Sequence, residues 1–204
     1  DLLTTIANAT LGEKPLSQSY LDGSWLLIIF AGNDTTRNSL SGTIRLLTEF
    51  PEQRQMVLDD PSLIELMSHE ALRMVSPVMH MRRTAMEDTE IARQRIAKDE
   101  KVIMWYGAAN RDPSVFPNPD QFDMMRDNVD KHLAFGHGVH RCLGNRVAQL
   151  QLKMAYERIL ERFPNIYWTG KQKIEPIILV HAISSLQVNL YGKDGKRPVM
   201  VATS

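Results

Sequence analysis

From Ser17 to about Phe50 the apolar residues return at helical spacing, first as Leu21, Trp25, Ile28 and Ile29 and then as Leu40, Ile44 and Leu47. Ser17 is a good helix cap and Pro51 a stop, so this pattern predicts one helix of about 30 residues, far beyond the ordinary globular length. Before it, Asp1 to Ile6 reads as the last turns of a helix whose start is missing. Two shorter helices are expected at about 52–58 and 61–75, the second halted by Pro77. The pattern then changes, and 89–91, 95–96 and 101–106 read as short strands joined by charged turns. Residues 107–141 carry three Gly (107, 136, 138) and three Pro (113, 117, 119) with little periodicity. A connection that long is usually functional or disordered. A second long helix follows over about 143–162, ended by Pro164, and 177–180 and 185–190 read as strands. The fold class is mainly α with a minor β region.

Composition narrows the possible functions. With 204 residues and 43% hydrophobic content the chain can bury a sizeable core, which excludes a disordered polymer. One cysteine cannot form an internal disulfide. Twenty-four basic side chains balance 24 acidic ones, so charge gives no reason to expect nucleic acid or an anionic membrane as partner. The longest apolar run, Trp25 to Ala31, has seven residues, well short of the roughly 18 that span a bilayer. No secretory leader is visible. A soluble, cytoplasmic protein is expected.

The cysteine lies in Phe135-Gly136-His137-Gly138-Val139-His140-Arg141-Cys142-Leu143-Gly144, just before the second long helix. The positive end of that helix and the amides of a glycine-rich turn favour a negative sulfur. Gly136 and Gly138 permit backbone shapes and close approaches that side chains forbid, so a flat cofactor can lie against the loop. Two other readings are open from the residues alone. One is a structural cysteine in a turn. The other is a zinc site from His137, His140 and Cys142, for which His132 is the only near candidate as fourth ligand.

This run resembles the haem-binding signature of the cytochrome P-450 superfamily, the haem-thiolate monooxygenases. The resemblance implies that Cys142 is the proximal iron ligand, whose electron donation favours O–O cleavage. It further implies that Phe135 packs beside the thiolate, that Gly136 and Gly144 shape the loop, and that His140 binds a haem propionate. Ala31-Gly32-Asn33-Asp34-Thr35-Thr36 interrupts the first long helix with residues that cost helix stability, and Thr35 can bond back to the Ala31 carbonyl and bend it. The segment is similar to the family's oxygen-activation motif. By that likeness Ala31 and Gly32 leave room for the cofactor, Thr35 orients bound oxygen and Asp34 delivers protons.

Glu70 and Arg73, three apart on one helix face, form an ordinary ion pair when taken alone. They match the family's Glu-x-x-Arg, in which the pair is buried and Arg126 is the third member. Arg83 falls where the family pairs a guanidinium with a propionate. The resemblance covers essentially the whole chain but only the C-terminal half of the family's fold, so 1–204 is expected to be the C-terminal portion of one domain whose N-terminal half is missing.

Leu26, Ile29 and Phe30 on the long helix and Val78 and Met79 after the third helix offer an apolar pocket. The runs 32–39, 80–85 and 102–106 look like the soluble bacterial alkane-hydroxylating branch. That likeness implies terminal hydroxylation of medium-chain alkanes or fatty acids, with haem b as cofactor and electrons from NAD(P)H through a ferredoxin and its reductase. The alternatives are a haem-thiolate protein without monooxygenase activity, such as a peroxygenase, isomerase or sensor, and a non-haem Cys/His metal-binding module.

Overall fold

The computed structural model describes residues 1–195. After a one-and-a-half-turn helix α1 (Leu2–Ala7), capped by Asp1, and a two-residue hairpin of β1 (Thr10–Leu11) and β2 (Lys14–Pro15), the chain enters α2 (Gln18–Glu49). The Ser17 hydroxyl accepts from the Tyr20 amide at its start, and Pro51 opens the next helix at its end, so the long helix runs where the apolar spacing placed it. Its two halves differ. The buried residues, Asn38, Ser39, Gly42, Thr43, Ile44, Leu46 and Leu47, all lie in the second half. The first half stands clear of the rest of the chain, with Leu26, Leu27 and Ile29 more than 60% exposed.

Around the buried half pack α3 (Pro51–Asp59), α4 (Ile64–Val75) and α6 (Asn145–Arg162), separated by the single turn α5 (Tyr106–Ala109) and a long connection. Leu47, Val57, Met67, Leu72, Leu152 and Tyr156 form the centre of this core. Buried polar links fix its geometry. Thr43 Oγ1 and Tyr156 Oη lie 2.7 Å apart, joining α2 to α6. Ser76, in the left-handed conformation at φ 41°, ends α4 one residue before Pro77 and accepts from Asn110 Nδ2 at 2.8 Å.

Among the described residues, four antiparallel strand pairs make up the sheets. β3 (His80–Thr84) pairs with β6 (Lys101–Trp105), in register from His80↔Trp105 to Thr84↔Lys101. β4 (Thr89–Ile91) and β5 (Gln94–Ile96) form a hairpin around Ala92 and Arg93. β7 (Tyr167–Glu175) pairs with β8 (Ala182–Asn189). Here the structure corrects the sequence reading three times. Residues 177–180 are not a strand but the connection between β7 and β8, touching β structure only through an isolated bridge from Val180 to Val78. The true partner strand, β7, went unread because Thr169-Gly170-Lys171-Gln172-Lys173 has no alternating apolar face, and most of its residues are exposed. β3 was likewise missed, since paired arginines mask a half-exposed strand.

Candidate functional site

The site is built on a buried ion cluster. Glu70 and Arg73 on α4 are both fully buried, with Nε–Oε2 at 2.7 Å and Nη2–Oε1 at 2.8 Å. Arg73 also donates to the carbonyls of Asn110, Pro119 and Gln121 at 2.8–3.1 Å. Arg126 joins from the long connection, Nε to Glu70 Oε1 at 2.9 Å, and donates to the Pro117, Asn118 and Gln121 carbonyls. The Asp123 amide adds a further bond to Glu70 Oε1 at 2.9 Å. One carboxylate and two guanidinium groups thus bind five carbonyls and one amide between Asn110 and Asp123. These bonds help fix a connection whose regular structure is confined to single turns.

The segment delivers the chain to the cysteine loop. Asn110 Oδ1 accepts from the Leu133 amide at 2.6 Å, and the Gly136 amide donates to the Leu133 carbonyl at 2.8 Å. Gly136 and Gly138 both have φ of 69°, the left-handed region that glycine enters without strain. The Cys142 amide then donates to the Phe135 carbonyl at 2.8 Å, which closes the loop and leaves the thiol exposed. Val139 and Leu143 beside it are 98% and 92% exposed. Gly144 caps α6, and a methyl group there would lie 4.0 Å from Cys142 Sγ.

On α2, Thr35 Oγ1 donates to the Ala31 carbonyl at 2.8 Å, the back-bond its sequence position implies. Asp34 is half-buried and pairs with Arg37 at 3.1 Å. Nothing lies within 4 Å of where a side chain on Gly32 would begin, so the helix is bare over a stretch that includes exposed Ala31. Leu26, Ile29 and Phe30 lie further back on the same uncovered half, 71%, 67% and 44% exposed. Val78 and Met79 are half-buried just before β3, and the Met79 amide donates to the Leu179 carbonyl at 2.9 Å. That bond brings in two residues the sequence reading passed over, Ile177 and Ile178, which stand 48% and 79% exposed on the same connection. Two adjacent isoleucines beside Pro176 are the available signal, in a segment whose sequence reads as a strand.

Among the described residues, Arg83 bonds only to the Arg82 carbonyl and has no carboxylate partner, and His140 makes no side-chain hydrogen bond. No three His, Cys, Asp or Glu side chains among the described residues gather as a metal-binding group. His132, the fourth ligand a zinc site needs, is buried and hydrogen-bonded to His69 instead. The donor set is one soft sulfur with exposed Val139 and Leu143 nearby in the chain, His140 two residues away in the same loop, and a half-buried Arg83 that has no carboxylate partner among the described residues. A planar macrocycle with a metal centre, apolar faces and peripheral carboxylates fits this set, and the open space over Gly32 fits a flat ligand.

Residues 58–188 match the sequence profile of the family described as Cytochrome P450. Linalool 8-monooxygenase of Pseudomonas putida is 40% identical over 193 residues, 95% of this chain and 47% of that protein. Cytochrome P450-153 from Novosphingobium aromaticivorans superposes with a TM-score of 0.79 at 42% identity, covering 89% of this chain and 44% of the other. A Mycobacterium marinum cytochrome P450 solved with pseudoionone superposes with a TM-score of 0.88 at 36% identity, covering 92% and 45%. The chain therefore spans about half the length of the relatives it matches. No helix among the described residues is long and apolar enough to cross a membrane. The profile match over 58–188, which takes in the cysteine loop and the buried Glu70–Arg73 pair, together with relatives and superposed structures that cover about nine-tenths of the chain, shows that the chain belongs to the cytochrome P450 family.

Proposed function

We propose that residues 1–204 are the C-terminal, haem-binding portion of a single monooxygenase domain that inserts one oxygen atom of O2 into a C–H bond of an apolar substrate. The observation that carries this reading is the cysteine loop: an exposed thiol held by the Phe135–Cys142 backbone bond and flanked by uncovered apolar side chains. Haem b, when bound, supplies oxygen activation, with electrons reaching it from NAD(P)H through a ferredoxin and ferredoxin reductase. The chain's own residues then have separable tasks. Cys142 holds the iron through its thiolate and donates electron density to it. Phe135 packs beside the sulfur, and Gly136 and Gly144 keep the loop low enough for a flat ligand. Arg83 and His140 hold the propionate carboxylates by charge-assisted hydrogen bonds.

Asp34 is half-exposed beside Arg37, so its carboxyl can take a proton from water and pass it toward Thr35. Rotation of the Thr35 hydroxyl off the Ala31 carbonyl lets Oγ1 donate its own proton into the pocket and take a replacement from the Asp34 side. The bare surface at Ala31 and Gly32 admits the cofactor, and Leu26, Ile29, Phe30, Val78 and Met79 exclude water and hold a hydrocarbon.

The substrate proposed is a medium-chain alkane or fatty acid, hydroxylated at its terminal carbon in the cytoplasm. The apolar side chains of Leu26, Ile29, Phe30, Val78 and Met79 support it, as does a relative, 34% identical, named methyl-branched lipid omega-hydroxylase. The test uses the full-length haem-loaded protein. Its reduced carbon monoxide difference spectrum should show a thiolate-type Soret band that Cys142→Ser abolishes; no such band, or one that survives the substitution, sinks the haem-thiolate reading. Products from a panel of alkanes, fatty acids and terpenes identify the substrate, and oxidation confined to terpenes would overturn the choice made here. Thr35→Ala should uncouple turnover and release peroxide; unchanged coupling would favour a haem-thiolate protein without monooxygenase activity.

A further inference from the structure

Two histidines that take no part in the chemistry above join α4 to the start of the cysteine loop. His69, half-buried on α4, has Nδ1 3.2 Å from Nε2 of His132. His132, 8% exposed, accepts at Nδ1 from the Ala134 amide at 3.3 Å. Its ring also meets that of Phe135, with centroids 5.8 Å apart and planes at 47°. Phe135 is the residue whose carbonyl receives the Cys142 amide. A continuous line of contacts runs from α4 through two imidazoles to the backbone of Cys142.

The two hydrogen bonds assign the proton positions along this line. Because His132 Nδ1 accepts from an amide, the neutral ring carries its proton on Nε2 and donates to His69 Nδ1. His69 must then carry its own proton on Nε2, on the side of the groove it shares with Glu65, Ser68, Gln149 and Lys153. No other neutral arrangement satisfies both bonds. A second proton on His69 sets two N–H groups against each other, and one on His132 opposes the Ala134 amide. Either way one link of the chain breaks.

We propose that His69 and His132 are a positioning pair for the cysteine loop, holding Phe135 and through it Cys142 in place, and that protonation of the pair releases the loop. The proposal rests on the haem-thiolate reading of Cys142. The charged groups around the pair act in both directions. Asp130, from the turn before His132, favours protonation of both rings, and Glu65 on α4 favours it at His69. Arg73 on α4 and Arg141 in the cysteine loop oppose it at His132, while Lys153 on α6 lines the groove. Burial outweighs them, lowering the pKa of His69 and holding His132 down at about 4, so the pair is neutral and the loop is held at ordinary pH.

The experiment compares His69→Phe with His69→Gln in the full-length protein, with and without haem. Phe removes the acceptor for His132, and amide exchange across residues 134–142 should rise about tenfold in both forms. Part of the thiolate-type Soret band of the haem-loaded form should also be lost. Gln keeps a carbonyl oxygen that accepts from His132 Nε2 and cannot be protonated. It should hold exchange and spectrum at wild-type values near neutral pH, and shift the acid-induced loosening seen in wild type to lower pH. If position 69 only fills space, the order reverses, because Phe packs well there; that result, or exchange unchanged in both variants, overturns the proposal. Imidazole nitrogen shifts of the unmodified protein give a measurement independent of any variant: a proton on His132 Nδ1 near neutral pH overturns it as well. A wild type with the expected exchange pattern but no thiolate band supports the pair while sinking the haem-thiolate reading.

Discussion

At the scale of single residues, Arg73 shows how completely one side chain can be committed. Its Nε, Nη1 and Nη2 atoms bond both oxygens of Glu70 and three backbone carbonyls, using all five guanidinium protons. A lysine has three protons on one atom and cannot span that fork. Arg73→Lys should therefore destabilise the protein by about 3–5 kcal/mol, the cost of breaking a buried ion pair, read as a lower denaturation midpoint at unchanged slope. A loss below about 1 kcal/mol, as for an exposed pair, would mean that the cluster is solvated. The two linked histidines make a second residue-level prediction. Burial, then the neighbouring His69 and nearby arginines, hold His132 from its ordinary 6.5 down to about 4. Between those values the unfolded chain binds a proton that the folded one refuses, so stability is full above pH 6.5 and falls as pH drops toward 4. His132→Phe should flatten the stability curve across that window, whatever it does to the plateau.

At the scale of elements, two glycines on one helix have opposite meanings. A methyl group on Gly42 would sit 2.5 Å from Val75 Cγ2, because α2 and α4 touch there. Gly42→Ala should cost about 1–3 kcal/mol by overpacking, and Val75→Ala in the same chain should recover part of it. Gly32, ten residues earlier on α2, has nothing within 4 Å. Gly32→Ala should raise thermal stability of the chain by up to about 1 kcal/mol through helix propensity while weakening haem binding in the full-length protein. Motif likeness singles out Gly32 in the sequence, but nothing there marks Gly42 as the point where α2 and α4 touch. Elements with a strong period or a hard stop were legible: α2 between Ser17 and Pro51, α4 before Pro77, α6 before Pro164. Strands with exposed faces were not, and β7 and β3 emerge only because their partners β8 and β6 arrive from elsewhere in the chain. Within the site, the cysteine loop and Glu70–Arg73 are local motifs and could be read directly. Ile177 and Ile178 could not, because the connection that carries them is tied to Val78 and Met79, through Val180 and Leu179, by pairing between segments a hundred residues apart.

At the scale of the whole molecule, the exposed surface shows how open the chain is. It amounts to 13961 Å², where a closed monomer of 23.3 kDa exposes about 9,700 Å². Much of the apolar excess is ordered along helices. Leu143, Val147, Leu150 and Met154 make one stripe at helical spacing on and just before α6, each more than 55% exposed, and Leu26, Leu27 and Ile29 make another on α2. Stripes of this kind are the inner faces of helices awaiting a covering layer. If the missing layer is the other half of a P450 domain, the 204 residues alone hold the thiolate but close only one side of the haem pocket. They should bind haem far more weakly than the full-length protein and self-associate as concentration rises. Haem titration of both forms, with sedimentation of the short one, checks this. Replacing Leu143, Val147 and Leu150 together by glutamine should suppress self-association of the short chain without restoring haem affinity, because solubility and pocket closure depend on different surfaces. Equal haem affinity for the short and full-length proteins would mean that the uncovered half of α2 and the cysteine loop suffice to hold the cofactor, and that the half-domain reading is wrong.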